Sequence, residues 1–324
     1  MNATLILRLL CIIGIVFDIF LLVRGIRSRR STPEGEVEWE KEKKYWKWNS
    51  FIVGMVPNFF DALGIGAFAP QSALIKLRKS CDDINIPGTI NVGNTPAVLL
   101  EAILFFGLVS IDPVTLISML IAATLGSLIG AKIVTRWNRT AVRYGMGIAL
   151  IGLGLIMACK QAEIGPFGVT GSALGLHGAK LVVAVVCNFI LGALMSLGVG
   201  LYAPCMALVA LLGMNVKAAF PIMMGSCAYL MAFGNAPVFI KQARYDMVAV
   251  IGDSIFGCVG VLIAFFVVRS LPIRILTWMV IFVVLFTAIL FLRDARKDTQ
   301  AKKTDGRVKS YRNSSEVVRS ETAE

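Results

Sequence analysis

The chain is poor in the groups with which most enzymes work. Of its 324 residues, 16% are charged and one is histidine, His177. A lone histidine cannot supply an H-x-x-x-H metal pair, and the seven cysteines contain no C-x-x-C. Those cysteines (Cys11, Cys81, Cys159, Cys187, Cys205, Cys227 and Cys258) are scattered through apolar stretches, where a free thiol behaves as a small hydrophobe. Neither a disulfide framework, nor a zinc centre, nor any other cofactor is expected. A G-x-x-x-x-G-K-[ST] phosphate loop is also missing, which argues against ATP-driven pumping by this chain. Without a nucleophile–base pair or metal ligands, an enzyme working inside a membrane is disfavoured.

What the chain has instead is apolar sequence. Hydrophobic residues make up 57%, against about 45–50% in soluble domains. A membrane-crossing helix needs about 20 mostly apolar residues. Such runs occur at 4–23, 88–108, 114–135, 142–159, 218–240, 247–268 and 274–292, with two longer ones at 49–77 and 181–214. The reading is an all-α polytopic membrane protein.

The first run has only Arg8 ahead of its core, carries Asp18 inside it, and lacks a small-residue cleavage site. Arg24, Arg27, Arg29 and Arg30 follow directly, so it reads as a retained anchor with its basic end in the cytoplasm. The net charge of +12 would suit nucleic acid, but the basic residues gather in short loops and in the tail from Arg293. That placement orients a membrane protein, and no nucleic-acid partner is expected.

An internal repeat organises the rest. Shifted by 134 residues, LGIGAFAPQSALIKL at 63–77 meets LGVGLYAPCMALVAL at 197–211 with eight identities in fifteen positions. The same register carries Pro87 onto Pro221, Asp112 onto Asp246 and Gly126 onto Gly260. The chain therefore divides into an anchor helix (1–26), a charged cytoplasmic linker (27–48), a first repeat (49–160), an external linker (161–179), a second repeat (180–293) and a basic cytoplasmic tail, expected to be disordered (294–324).

Each long run carries G-x-G-x-x-x-P at its middle: Gly64, Gly66 and Pro70, then Gly198, Gly200 and Pro204. As one helix, 181–214 would be about 51 Å long, against a hydrocarbon core of about 30 Å. Each run either crosses once on a tilt or folds back as a broken hairpin. Single crossings would leave 21 of the 32 basic residues inside and 11 outside, whereas hairpins leave 26 inside and 6 outside. The hairpin arrangement obeys the positive-inside rule better. It gives each half three spans plus a re-entrant hairpin, an odd number, so the halves are inverted.

Inverted repeats with broken helices near the midplane are a transporter signature. The second half of a broken helix begins with unpaired N–H groups and the positive end of its dipole, which suits an anion. The expected anion-binding residues are Gly64, Gly66, Pro70, Gly198, Gly200 and Pro204, with Asn58, Asn94 and Ser196 as side-chain contributors. Gln71, Asn91, Thr95, Cys205, Ser226, Tyr229 and Asn235 also lie nearby, where polar groups often only bond helix to helix. The acids inside the repeat spans are Asp61, Glu101 and Asp253, and no lysine or arginine lies mid-span to pair with them. Burial away from water favours a protonated carboxyl, so these suit proton coupling. Asp61, three residues before Gly64, is the first choice and Glu101 the second, whereas Asp253 reads as a packing or interface residue. Gly126-x-x-x-Gly130 reads as a close helix contact.

The segments VGMVPNFFDALGIGAFAP (53–70) and NFILGALMSLGVGLYAPCMALVALLGM (188–214) resemble the repeated glycine-rich signature of the TauE/SafE sulfite exporter family. DPVTLISMLIAATLGSLIGAKIV and YDMVAVIGDSIFGCVGVLIAFFVVRSLP are similar to its second block in each half. The resemblance spans about 50–292. It implies a transporter of the bacterial cytoplasmic membrane that moves sulfite, sulfonates or related small organic anions. Where the family prefers consecutive glycines, this chain has Ala67-Phe68 and Leu201-Tyr202, so its breaks are narrower and more aromatic.

The expected function is thus secondary transport, with export the favoured direction, by alternating access. The partners are the small anion and the lipid bilayer, and homo-oligomerisation stays open. The N-terminus would lie outside and the C-terminus in the cytoplasm. The competing reading is a membrane subunit that assembles or anchors other proteins through 24–48 and the basic tail.

Overall fold

The computed structural model describes residues 3–106, 111–164, 171–198, 200–267, 278, 281–282 and 284–301. Among the described residues every extended element is helical, and a single backbone bridge pairs Ala173 with Met214. Six helices among the described residues are long and apolar enough to cross a membrane.

Helix α1 (Ala3–Arg30) ends on Arg27, Arg29 and Arg30, whose charges suit the negative end of the helix dipole. It packs on later helices and buries Leu7, Cys11, Asp18 and Leu22. Thr32 caps the short α2 (Pro33–Glu42) by accepting from Gly35 N–H at 3.1 Å. The linker expected over 27–48 therefore holds helical structure.

The first long apolar run begins with a π-helical stretch, Trp48–Met55, and passes into α3 (Val56–Ala62). After a five-residue break around Gly64 and Gly66 it resumes as α4 (Phe68–Arg78). Arg78 returns to lie over the ring of Trp48, 5.7 Å from its centroid, so the two ends of the run are neighbours. The second run repeats this course, with α9 (Gly178–Met195), a break at Gly198, then α10 (Tyr202–Leu211). Here Lys180 Nζ donates to the Leu212 carbonyl at 3.3 Å, again joining start to end.

The run at 88–108 is itself interrupted, into α5 (Ile86–Gly93) and α6 (Thr95–Phe105). Pro96 sits in the first turn of α6, where its missing N–H leaves the Val92 carbonyl without its i+4 donor and interrupts the helix at Asn94. Its counterpart runs unbroken from Ala219 to Lys241, as α11 (Ala219–Tyr229), a π-helical stretch Leu230–Asn235, and α12 (Ala236–Lys241).

Helices α7 (Pro113–Val134) and α8 (Arg139–Gln161) begin at side-chain caps, Asp112 on Thr115 N–H at 2.8 Å and Asn138 on Ala141 N–H at 2.9 Å. Asp246 does the same for α13 (Met247–Val267), accepting from Ala249 N–H at 2.7 Å. Within the expected span at 274–292, residues 274–277, 279, 280 and 283 fall outside the described residues, while 284–301 is helical, including the start of the expected tail.

Close packing follows the glycines. A Cβ on Gly126 or Gly130 of α7 would strike the carbonyls of Phe189 and Ala193, and one on Gly192 of α9 that of Ala123. The Gly126–Gly130 pair is thus a helix contact, as its spacing suggests. On the opposite side of α7, Ile117, Ile121, Leu125, Ile129 and Ile133 are exposed, an apolar stripe that suits lipid.

The connections sort into two groups by what they touch. Lys76 pairs with Asp83 and Asp294, and Arg143 with Asp83 and Asp298, all at 2.6–2.7 Å. Arg244 reaches the carbonyl of Thr135, and Glu42 the N–H groups of Met247 and Val248. In the other group, Asp112 N–H meets Leu174, Leu176 N–H meets Thr115, and Asn215 N–H meets Ala173. Lys180 and Leu212 belong with this second set.

Candidate functional site

The two breaks are built alike, and local backbone chemistry explains why. Gly64 has φ +83°, and its N–H bonds the Asp61 carbonyl at 2.7 Å while Ile65 N–H bonds that of Phe60 at 3.1 Å. This is the Schellman closure, which needs a residue tolerant of left-handed backbone at that point. At 134 residues further, Gly198 has φ +82° and bonds Met195 at 2.9 Å. The half-helices also end in step: Lys79 is left-handed after α4, and Gly213 after α10. Pro70 and Pro204 each occupy the third helical position, where a missing N–H forfeits no intrahelical bond.

The breaks meet. Gly66 and Gly200 line one cavity together with Asp61, Phe68, Tyr202 and Cys227. Its volume is about 10 Å³, roughly what one water needs. Gly66 has φ +98°, and a Cβ there would meet nothing within 4 Å. Gly200 is nearly as open, its nearest neighbour being Phe68 Cβ at 3.8 Å. These two glycines leave room at the crossing rather than permitting a tight helix contact.

A carboxylate already sits on the first half-helix. Asp61 Oδ1 accepts the N–H of Ala67, the residue preceding α4, at 2.6 Å, and Asp61 is 3% exposed. The N-terminal charge that an anion would seek is thus met by a resident acid six residues upstream. Across the cavity, Tyr202 opens α10 and donates its hydroxyl to Glu101 Oε2 at 2.6 Å. The aromatic departures noted in the sequence thus have distinct surroundings: Phe68 walls the cavity, and Tyr202 is bonded to the second acid.

The other expected side-chain contributors stand apart from this cavity, in two buried networks. Asn58 Nδ2 donates to Asn94 Oδ1 at 2.7 Å and to Asp253 Oδ1 at 3.1 Å. Gln71 Nε2 donates to the same two acceptors, at 2.9 and 3.0 Å. Asn58 and Gln71 also reach carbonyls of the π-helical stretch, Gly54 and Val53, whose wide turn leaves them available. Asp253 is therefore the acceptor at the centre of a buried amide cluster, a position its sequence neighbours do not reveal. In the second network Ser196 Oγ donates to Asn235 Oδ1 at 2.8 Å, and Asn235 Nδ2 to Asn91 Oδ1 at 2.6 Å.

The remaining expected positions distribute as follows. Gly64 lines a separate cavity with Lys160, Gln161, Ala203 and Phe220. Gly198 packs on Ile90 and Pro87, and its carbonyl accepts from Ser72 Oγ at 3.4 Å. Lys160 is not among the expected site residues, because a cation at the end of an apolar run reads as an orientation signal.

Residues 1–157 match the family model described as Sulfite exporter TauE/SafE. The matched stretch includes Asp61, the first break, the Asn58–Asn94 pair and Glu101, and it ends inside α8. The resemblance visible in 53–70 and 112–134 is therefore borne out on its own residues. No curated protein and no solved structure matches the chain.

Proposed function

We propose that the chain as a whole, including the part beyond residue 157, is a secondary transporter of small anions and belongs to the TauE/SafE family. One observation carries the reading: two separately broken helices bring Gly66 and Gly200 to one buried cavity, with a carboxylate on the half-helix start beside it. A helix start in a closed, water-poor site favours an anion through its N–H groups and dipole.

Asp61 holds that position in the absence of substrate. Protonating Asp61 removes its charge and weakens its hold on the Ala67 N–H, which an incoming oxyanion can then take, so proton and anion bind at one point. Glu101, held by Tyr202, is the second proton-linked group. Asn58, Asn94 and Asp253 fix the arm carrying the first break, and Ser196 that carrying the second. Alternating access opens the cavity first to one face and then to the other. Sulfite, sulfonates and related small organic anions are the substrates, with export across the bacterial cytoplasmic membrane the favoured direction.

Two features support inverted halves with re-entrant hairpins. The 134-residue register recurs in the glycine closures, in the half-helix ends and in the Asp112 and Asp246 caps. The ends of the first interrupted run join the connections around Lys76, whereas Lys180 and Leu212 lie with the opposite set. That arrangement suits hairpins entering from opposite sides, an anchor with its N-terminus outside, and a cytoplasmic C-terminus.

The test is reconstitution of the purified chain alone in liposomes. Labelled sulfite, a short sulfonate and a carboxylate are followed under imposed anion and pH gradients. Saturable flux of at least one anion, stimulated by a proton gradient, is the expected result. Absence of flux for all three at every gradient would defeat the reading.

A further inference from the structure

Beside the crossing of the breaks lies a second cavity of about 130 Å³, ample for several waters or a small oxyanion. Gly64 of the first break and Ala203 in the first turn of α10 form one side of it, and Lys160 and Gln161 the other. Its lining holds one cation and no acid. Among the described residues, Lys160 has no carboxylate within ion-pair distance.

Two other buried or half-buried cations near these helices, by contrast, are neutralised. Lys76, at the far end of α4, holds Asp83 and Asp294, and Arg143 holds Asp83 and Asp298. The position 134 residues after Lys160 is Asp294, the carboxylate on Lys76. The duplicated register thus carries an engaged acid at one face and an unengaged base at the other. A half-buried ammonium without a counter-charge is costly unless an anion joins it. Lys160 belongs to the end of α8 that leads toward the connections around Asp112 and Leu174, so its cavity lies between that face and the crossing.

We propose that Lys160 is an anion-holding residue: with Gln161, Gly64 and the first turn of α10 it forms a waiting site for a small oxyanion between the broken helices and that face. The ammonium supplies the charge, Gln161 an amide donor, and the start of α10 its dipole. Phe220, which approaches Gly64, walls the cavity on its apolar side. This site deepens the transport reading by naming where the anion rests before or after the crossing.

The test separates binding from flux. Equilibrium binding of ³⁵S-sulfite is measured on the detergent-purified full-length chain, and flux of the same probe on the reconstituted protein. Lys160→Gln should weaken sulfite binding about 10- to 100-fold, the loss expected for one charge-assisted bond. Lys160→Arg, which keeps the charge, should stay within about threefold of the parent and serves as the folding control. Equal binding by the parent and Lys160→Gln overturns the site, as does no sulfite binding by the parent. Binding that depends on Lys160 without any flux upholds the site while removing the transport reading. Flux with binding indifferent to Lys160 does the reverse.

Discussion

Replacing Asp61 tests whether its carboxylate stands in for a substrate anion. The carboxylate accepts the Ala67 N–H at 2.6 Å in a closed site, at the start of the 11-residue helix α4. Asp61→Ala removes the acceptor and strands a buried donor. Loss of a helix cap costs about 0.5–2 kcal/mol, and an orphaned buried donor about 1–3. Both figures describe the same bond, so the expected loss is about 1–3 kcal/mol rather than their sum. Asp61→Asn keeps an oxygen at the position and loses only the charge assistance, about 1 kcal/mol. Thermal unfolding followed by size-exclusion chromatography should rank the chains parent, Asn, Ala. The same Asn variant imitates the protonated acid, so reconstituted sulfite flux should lose its dependence on pH while some flux remains. Alanine and asparagine variants that match the parent in both stability and pH profile would refute the role assigned to Asp61.

Other consequences follow from the packing and the charges. Gly126→Val drives a side chain into the Phe189 carbonyl and should destabilise by about 1–3 kcal/mol or more, whereas Gly152→Ala, with open space around it, should be neutral within about 1 kcal/mol; thermal unfolding compares the two. Lys76→Met strips Asp83 and Asp294 of one partner; because Arg143 retains Asp83 and Asp294 is partly exposed, the loss should be about 1–3 kcal/mol, and salt should change it little. Burial and the neighbouring Asp246 push the Glu42 carboxyl up to about 8, against the pull of Arg29 and two N–H groups of α13. A raised folded-state pKa means the folded chain binds more protons between about 4.5 and 8, so this contact weakens as pH rises through that window. Hydrogen exchange at 247–249 should accelerate accordingly, and Glu42→Gln should flatten the response.

Much of the site's backbone is legible in the sequence because the constraint is local. A left-handed closure followed by a helix start requires glycine and tolerates proline at fixed spacing, so both breaks, and the register relating them, can be read from residues. Asp61 is within the same local frame, six residues from the N–H it caps. The buried networks are not local. Asn58 and Asp253 are 195 residues apart, and nothing in either segment says that α13 lies against the first arm. Pro96 illustrates a different loss, since averaging over an apolar run hides a single residue that ends a helix. Lys160 was obscured by its position, because a cation at the end of a run reads as orientation until its neighbours are known.

The central claim is that the crossing of the two breaks is the anion path, and sulfite flux through proteoliposomes carrying Gly200→Val tests it most directly. The cavity there is about 10 Å³, and the nearest atom to a new Cβ is 3.8 Å away, so the Cβ is accommodated and valine's two methyls fill the passage. The account predicts saturable flux in the parent chain and its loss in Gly200→Val, with membrane insertion and chromatographic behaviour unchanged. Undiminished flux through the correctly inserted valine variant would contradict it.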